Sequence, residues 1–240
     1  MEITVLGTGD AIGTPKVGCS CETCTAARAA GRSRLRTSLL VEAKGKRILI
    51  DSSPDLRQQL LRSGSPHIDA VFWTHGHYDH FIGYGEFYRV QKMPPVYAAP
   101  PVLAYSAKFF HFLPFKRCQA EVYTPFDLFG VRFTFFEVHH PPGYACGIRM
   151  EHDGAAVAYT SDTTNRLPGR TRRLLEGVDL LFVDAIAPAG YEIEKHMNYP
   201  EACALAAEVG ARDFRCVHMS HLVPWDLPHA GTDMERLLLE

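Results

Sequence analysis

Hydrophobic and polar positions fall into short runs along this chain, and most of the runs read as strands. Ile3 to Leu6 lie in the first, predicted over 2–6. Residues 36–42 and 47–51 form a predicted pair of strands around the turn Lys44-Gly45-Lys46. Ser53-Pro54-Asp55 is expected to open a helix through Arg62, with Ser53 as cap, Pro54 in the first turn and Leu56, Leu60 and Leu61 as its apolar stripe. Asp69-Ala70-Val71-Phe72-Trp73 reads as a buried strand, 81–88 as a helical continuation beyond the next loop, and 94–98 as a short strand. Residues 100–119 gather Phe109, Phe110, Phe112 and Phe115 beside Lys108, Lys116 and Arg117; the expectation is a helix packed on the core, with an aromatic wall near a substrate pocket as the rival. Strands follow over 131–138, 145–151, 155–159, 179–184 and 214–217, with helices over 170–175 and 199–209. The last helix has Pro200 at its start and Gly210 at its end. No repeat or linker interrupts this order. The expectation is one α+β domain over 1–240, with helices outside two packed sheets.

Composition narrows the class only modestly. At 240 residues and 46% hydrophobic, the chain can bury one large core, and a net charge of -2 gives no global bias toward nucleic acid or membrane surfaces. No stretch reaches the ~18 apolar residues of a membrane span. Residues 1–6 are too short and too acidic for a signal peptide, so the expected compartment is the cytoplasm. Seven cysteines cannot all pair internally. Cys118, Cys146, Cys203 and Cys216 are scattered among apolar neighbours and read as core residues. Cys19, Cys21 and Cys24 lie within six residues, and such a cluster in a reducing compartment points to metal rather than disulfides.

The chemistry concentrates in Thr74-His75-Gly76-His77-Tyr78-Asp79-His80. Imidazole and carboxylate are both metal ligands. In an extended loop His75 and His77 point the same way, and a following turn can aim Asp79 and His80 as a second pair, so one loop could serve two ions. His139-His140, Asp162 and His218 each follow a predicted strand, where a scaffold presents functional groups. The loop Gly7-Thr8-Gly9-Asp10-Ala11-Ile12-Gly13 lacks the P-loop spacing and lysine, and reads as a tight loop near the metal site rather than a phosphate cradle.

His75-x-His77-x-Asp79-His80, followed by His140, Asp162 and His218, resembles the metallo-β-lactamase superfamily over nearly the whole chain. The resemblance implies a four-layer αβ/βα sandwich with a dinuclear centre at one edge. It implies that His75, His77 and His140 hold one divalent ion, that Asp79, His80 and His218 hold a second, and that Asp162 bridges them. His139 is the rival to His140. Zinc and manganese both suit these ligands. Gly18-Cys19-Ser20-Cys21-Glu22-Thr23-Cys24 resembles the structural zinc loop of the carbon–phosphorus lyase phosphodiesterases, also found in pyrroloquinoline quinone biosynthesis B proteins. That loop, at about 18–25, implies His221 as the fourth ligand of a closed structural zinc site. His196 resembles the family histidine that protonates the leaving group.

These features point to a metal-dependent phosphodiesterase of small, cyclic substrates, acting through a metal-bridging hydroxide. Two divalent ions, Asp79, Asp162 and hydroxide leave a first-shell charge of about +1, suited to a phosphodiester monoanion. A lactone or thioester hydrolase, and a non-hydrolytic cofactor-biosynthesis protein resembling the quinone B family, are the alternatives. Asp51 and Asp184 end strands and are candidates to orient a ligand, but equally plain polar strand ends. Tyr78, Phe81 and the 105–117 segment are candidate pocket walls. With no basic exosite arm, a stable nucleic-acid complex is not expected. A homodimer is the commonest assembly open to such a chain.

Overall fold

Thirteen strands and six α-helices are built in the computed structural model, which describes residues 1–239. The strands are β1 (Glu2–Gly7), β2 (Ser38–Ala43), β3 (Lys46–Ile50), β4 (Ala70–Phe72), β5 (Val96–Ala98), β6 (Arg117–Gln119), β7 (Phe126–Leu128), β8 (Val131–Val138), β9 (Ala145–His152), β10 (Ala155–Tyr159), β11 (Leu180–Asp184), β12 (Asp213–Val217) and β13 (Glu235–Leu238). The helices are α1 (Glu22–Ala29), α2 (Leu56–Arg62), α3 (Tyr78–Phe81), α4 (Pro100–Ser106), α5 (Gly169–Leu175) and α6 (Tyr199–Glu208). One sheet runs β13-β1-β2-β3-β4-β5-β6 and the other β12-β11-β10-β9-β8-β7. Hairpin-linked strands pair antiparallel, as β2 does with β3 and β8 with β9, whereas β3–β6 and β10–β12 pair parallel across helical crossovers.

The two sheets meet through their inner faces. The Phe72 ring of β4 lies 4.8 Å from Phe133 and 5.5 Å from Phe135 of β8. Each such side chain, fully buried, contributes roughly 1.5–3 kcal/mol of hydrophobic stabilisation. Outside the first sheet, Trp73 packs against Phe81, Tyr84 and Phe110. Outside the second, Leu175 of α5 and Leu205 of α6 cover Leu181 and Val183. The layering is the four-layer αβ/βα sandwich, with the apolar strand runs buried on both faces as the sequence pattern required.

Several local expectations shift. The helix foreseen from Ser53 begins at Leu56, because Ser53 is used in a turn: its Oγ accepts from Asp55 N at 3.1 Å and donates to Gln59 Oε1 at 2.9 Å. The helix foreseen over 81–88 is instead four residues of α3 followed by a 3₁₀ segment, Ile82–Arg89. Gly83 lies where the chain passes against the Ser53 backbone: a Cβ there would lie 1.8 Å from Ser53 O, so only glycine fits. The aromatic segment packs as expected, with Phe110 and Leu113 buried, though Phe109 and Phe112 stay exposed. The longest late helix is capped as its sequence asks: Asn198 accepts from Glu201 N and Glu201 returns to Asn198 N.

Three strand ends prepare the site. Asp51 follows β3, Ser161 lies just beyond β10 and His218 follows β12, with φ of 59°, 56° and 58°. Left-handed backbone at a non-glycine residue costs of order 1–3 kcal/mol and persists only where surrounding contacts hold it. All three turn the chain at the same edge of the sandwich, where polar groups gather.

Candidate metal centre

The loop after β4 continues into α3, whose single turn swings Asp79 and His80 inward beside His75 and His77. His140 arrives from the loop after β8, Asp162 from beyond β10 and His218 from the end of β12. Their donor atoms form two groups, His75–His77–His140–Asp162 and Asp79–His80–Asp162–His218, each with all atoms within 4.8 Å of one another. Asp162 belongs to both. In the first, His140 Nε2 is 3.0 Å from His77 Nδ1, and Asp162 Oδ2 is 3.6 Å from His75 Nε2 and 3.7 Å from His140 Nε2. In the second, Asp79 Oδ2 lies 3.1 Å from His80 Nε2 and 3.3 Å from His218 Nε2, and Asp162 reaches the same two rings at 3.4 and 3.3 Å. Ligands bonded at about 2.0–2.1 Å around a tetrahedral ion are separated by about 3.3 Å, so these spacings fit divalent cations.

Hydrogen bonding fixes which atoms remain available. The His80 Nδ1–H donates to Asp51 Oδ2 at 2.8 Å, and Asp51 also accepts from Thr74 N and Thr74 Oγ1. The His75 Nδ1–H donates to Thr74 Oγ1 at 3.0 Å, and the His140 Nδ1–H to Lys195 O at 2.9 Å. With Nδ1 engaged as donor, each ring turns its Nε2 toward the cluster. His75 Nε2, His80 Nε2 and Asp162 Oδ1 are buried without a hydrogen-bond partner. Buried polar atoms are rarely left so, and three orphans in one cluster are what a cation-binding site leaves on its ligands.

Electrostatics agree. Burial pushes His140 down to about 4 and His75 well below its ordinary value, which keeps both as neutral, ligand-competent imidazoles. Burial opposes charge on Asp79 and Asp162 too, yet the facing imidazoles outweigh it and hold both carboxyls well below the usual range. For His80 and His218 burial is likewise overcome, here by surrounding carboxylates, and His218 rises to about 9. The pocket of acids therefore demands positive charge between its ligands, which a cation supplies.

His140, not His139, enters the cluster; His139 Nδ1 instead meets Thr164 Oγ1 at 3.0 Å. His196 stacks on His218 at 5.0 Å, and its Nδ1–H donates to the fully buried Asp184 at 2.7 Å. Asp51 and Asp184, left open as plain strand ends in the sequence, are thus both bound to site histidines. Their signal was an acid closing an apolar strand, Ile48-Leu49-Ile50-Asp51 and Leu181-Phe182-Val183-Asp184. A cleft of about 360 Å³ adjoins His75 and His77, with walls from Tyr105, Pro142 and Tyr144. Phe81 is not a wall: it is buried against Trp73 and Phe109.

At the N-terminal end of α1 a second constellation forms. Cys19, Cys21, Cys24 and His221 place their donors within 4.8 Å of one another, with His221 Nδ1 3.6 Å from Cys19 Sγ and 3.4 Å from Cys21 Sγ. A tetrahedral zinc with sulfur and nitrogen ligands has an S···N edge of about 3.6 Å. Three thiols and an imidazole at these spacings fit zinc, and four protein donors leave no open position. The helix α1 that carries Cys24 was not foreseen; its alanine-rich face gives little apolar period.

A two-sheet sandwich with a His/Asp donor cluster at one edge defines the metallo-β-lactamase class of folds. The chain belongs to the β-lactamase superfamily: a family profile described as Beta-lactamase superfamily domain matches residues 46–219. It is similar over its whole length to a crystal structure of a diphosphatase from the PhnP family, with a TM-score of 0.87, 29% identity and 98% of that chain covered. Zn²⁺-bound PqqB from Methylobacterium extorquens shares the fold at a TM-score of 0.87 and 22% identity, each chain covered completely. A curated relative, an octanoyltransferase of Porphyromonas gingivalis, is 29% identical over 95% of this chain. The chain spans only 48% of that relative's length. Most members of the superfamily are hydrolases. Among the described residues no helix is long and apolar enough to cross a membrane.

Proposed function

We propose that the protein is a dinuclear-metal phosphodiesterase acting on small, cyclic phosphodiesters. The observation that supports this reading most is the sharing of Asp162 between two complete donor groups, beside the Asp184–His196 pair. His75, His77 and His140 would hold one ion, Asp79, His80 and His218 the other, with Asp162 between them. When bound, two zinc or manganese ions lower the pKa of water to near neutrality and neutralise phosphoryl charge. The rest belongs to the chain. Asp51 and Thr74 fix the rings of His80 and His75. Lys195 O fixes His140. Burial opposes a proton on His196, but Asp184 outweighs it and raises the group above its ordinary value, so an imidazolium is held ready to protonate a departing alkoxide. Cys19, Cys21, Cys24 and His221 would hold a structural zinc. We take residues 1–240 as one domain, since β1 pairs with both β2 and β13. A reducing compartment would keep the three thiols metal-competent, which favours the cytoplasm.

A second reading, acyl thioester hydrolysis, is favoured by the octanoyltransferase relative and by the apolar cleft. The two separate on one panel: purified protein with metal content determined, offered bis-p-nitrophenyl phosphate, a 2′,3′-cyclic nucleotide, a lactone and an octanoyl thioester. Three divalent ions per chain with phosphodiester turnover is the expected result. Turnover of the thioester alone would overturn the phosphodiesterase reading.

A further inference from the structure

We propose that the pocket enclosed by Arg32, Arg34, Arg62 and Trp225 is a binding site for a small phosphate-bearing anion, separate from the metal centre. None of the described residues lining it belongs to a metal-donor group, so the inference stands independently of the phosphodiesterase reading.

Four separate stretches of chain build the pocket, which has a volume of about 260 Å³. Arg32 follows the turn after α1, where its N donates to Ala27 O at 2.9 Å. Arg34 N donates to Thr14 O at 2.8 Å. Arg62 closes α2. Trp225 comes from the segment before β13, pinned by its Nε1–H to Thr23 O of α1 at 3.1 Å. The Arg32 and Arg34 guanidinium carbons lie 4.5 and 4.3 Å from the centroid of this one ring. A cation–π contact holds each cation in position without neutralising it. Two like charges are therefore fixed side by side at the mouth of a cavity.

Arg36 is paired with Asp55, and Arg215 with Asp213 and Glu235, whereas Arg32, Arg34 and Arg62 have no carboxylate partner among the described residues. For the exposed Arg32 and Arg62 that is ordinary. Arg34 is only 3% exposed, and a charge so buried is almost always paired. It donates through Nη1 to Ser220 O and Val223 O and through Nη2 to Pro224 O, which leaves Nε–H and one Nη2–H uncommitted. Two acids are near, and both spend their oxygens elsewhere. Asp233 accepts from Thr8 N, Thr8 Oγ1 and Leu35 N, and burial pushes its carboxyl up to about 6. Asp10 accepts from Ile12 N and Gly13 N. Burial lowers Arg34 to about 10, so its surroundings do not fully compensate the charge. Even with Asp233 ionised, three cations line the pocket against one acid. That excess suits a phosphate group, which carries about -1.5 to -2 near neutral pH, better than a lone carboxylate. Guanidinium forks match phosphate oxygens, and Ser33 and Thr232 add hydroxyls to the lining. The volume lies just below the roughly 300–1,000 Å³ of drug-sized sites, so the occupant is small. A nucleic-acid strand would need cations spaced along a groove, not gathered in one pocket.

The test titrates metal-replete protein with inorganic phosphate, glycerol 3-phosphate, acetate and a short single-stranded oligonucleotide at constant ionic strength. Calorimetry gives the Kd, and tryptophan emission reports the place, since Trp73 is fully buried and Trp225 borders the pocket. Both phosphates should bind and change the emission, with acetate at least about tenfold weaker. The double variant Arg32→Ala/Arg62→Ala should weaken phosphate binding at least about tenfold, the effect of losing one charge-assisted hydrogen bond. Both side chains are exposed, so the variant should fold, and an unchanged melting temperature will verify this. His75→Ala, which disturbs the metal centre, should leave the Kd at this pocket within about threefold. Tighter binding of glycerol 3-phosphate would assign the pocket to a phosphorylated metabolite and tighter binding of phosphate to the free ion; either upholds the site. Phosphate binding lost in His75→Ala but kept in the double variant would place the anion at the metal centre and overturn the proposal. No heat and no emission change with phosphate up to about 10 mM would overturn it too. An oligonucleotide bound more tightly than either phosphate would overturn the small-ligand assignment.

Discussion

Cys24→Ser separates a metal clasp from three adjacent thiols. Cys24 is fully buried on α1, and its Sγ accepts from Lys16 N at 3.3 Å. Serine nearly matches the shape, so loss of packing alone should cost under about 1 kcal/mol. Loss of a bound ion should cost more. A clasp would join Cys19 and Cys21 to His221 across separations of 202 and 200 residues. Closing a loop of that length restrains the unfolded chain by about 5 kcal/mol in the entropic treatment. Three of the four donors are local in sequence, so the unfolded chain would retain some affinity, which lowers the net effect to about 2–5 kcal/mol. For a chain near this size that corresponds to roughly 5–15 °C in melting temperature. The assay is thermal unfolding by circular dichroism with elemental analysis, on wild type, Cys24→Ser and His75→Ala. Cys24→Ser should lose one ion and melt lower by that margin. His75→Ala should lose a different ion without that penalty. If Cys24→Ser melted within about 2 °C of wild type with its metal count unchanged, the four residues would be no clasp and the long-range closure argument would fail.

The remaining predictions concern the catalytic edge and its surroundings. His196→Ala should lower kcat about 10²–10⁴-fold with metal content intact, measured by steady-state kinetics and elemental analysis; an unchanged kcat would remove it as the proton donor. Asp51→Ala frees the His80 ring and should weaken metal affinity about 10–100-fold in competition with a chelator, whereas equal affinity would make the Asp51–His80 bond incidental. Burial pushes the Asp233 carboxyl up to about 6, against hydrogen bonds from Thr8 N, Thr8 Oγ1 and Leu35 N. The folded state therefore holds a proton that the unfolded chain releases near pH 4, and stability should fall by about 1–3 kcal/mol as pH rises from about 4 to 6. Chemical denaturation of wild type and Asp233→Asn across that window should show the slope in the first and a flatter line in the second.

Much of the fold was legible because most of the longer strands are apolar runs bounded by Gly, Pro or charged turns. Residues 131–138 and 145–151 differ from β8 and β9 by at most one residue at an end. What escaped was short. β6, β7 and β13 are three or four residues long, too few for any periodicity to register, and they form through edge pairing that the local sequence does not announce. At the site, the donors were legible because histidine and aspartate at strand ends are conspicuous. The choice between His139 and His140 was not legible from adjacent identical residues. It depends on which ring the loop turns inward, and that follows from the Lys195 O contact across 55 residues. The orienting acids were visible but indistinguishable from ordinary strand ends until their partners could be seen.

The span from His218 to His221 connects the two metal constellations, and its backbone explains why they need not be independent. His218 leaves β12 in left-handed geometry, and its N donates to Thr37 Oγ1 at 3.1 Å. Met219 N then donates to Thr8 O, and Asp10 N returns to Met219 O. Ser220 N donates to Ile186 O, and the Arg34 guanidinium, whose pKa burial lowers to about 10, donates to Ser220 O and Val223 O. The segment is therefore held at each residue by elements from across the molecule, and strain at His218 persists because its neighbours cannot relax. His221 closes this run against Cys19 and Cys21. A metal held there would add a last restraint only three residues from His218, on the same stretch of backbone. Its effect on His218 would be to limit the positions the imidazole can sample, and that limit matters because donor spacings at the centre tolerate only a few tenths of an ångström.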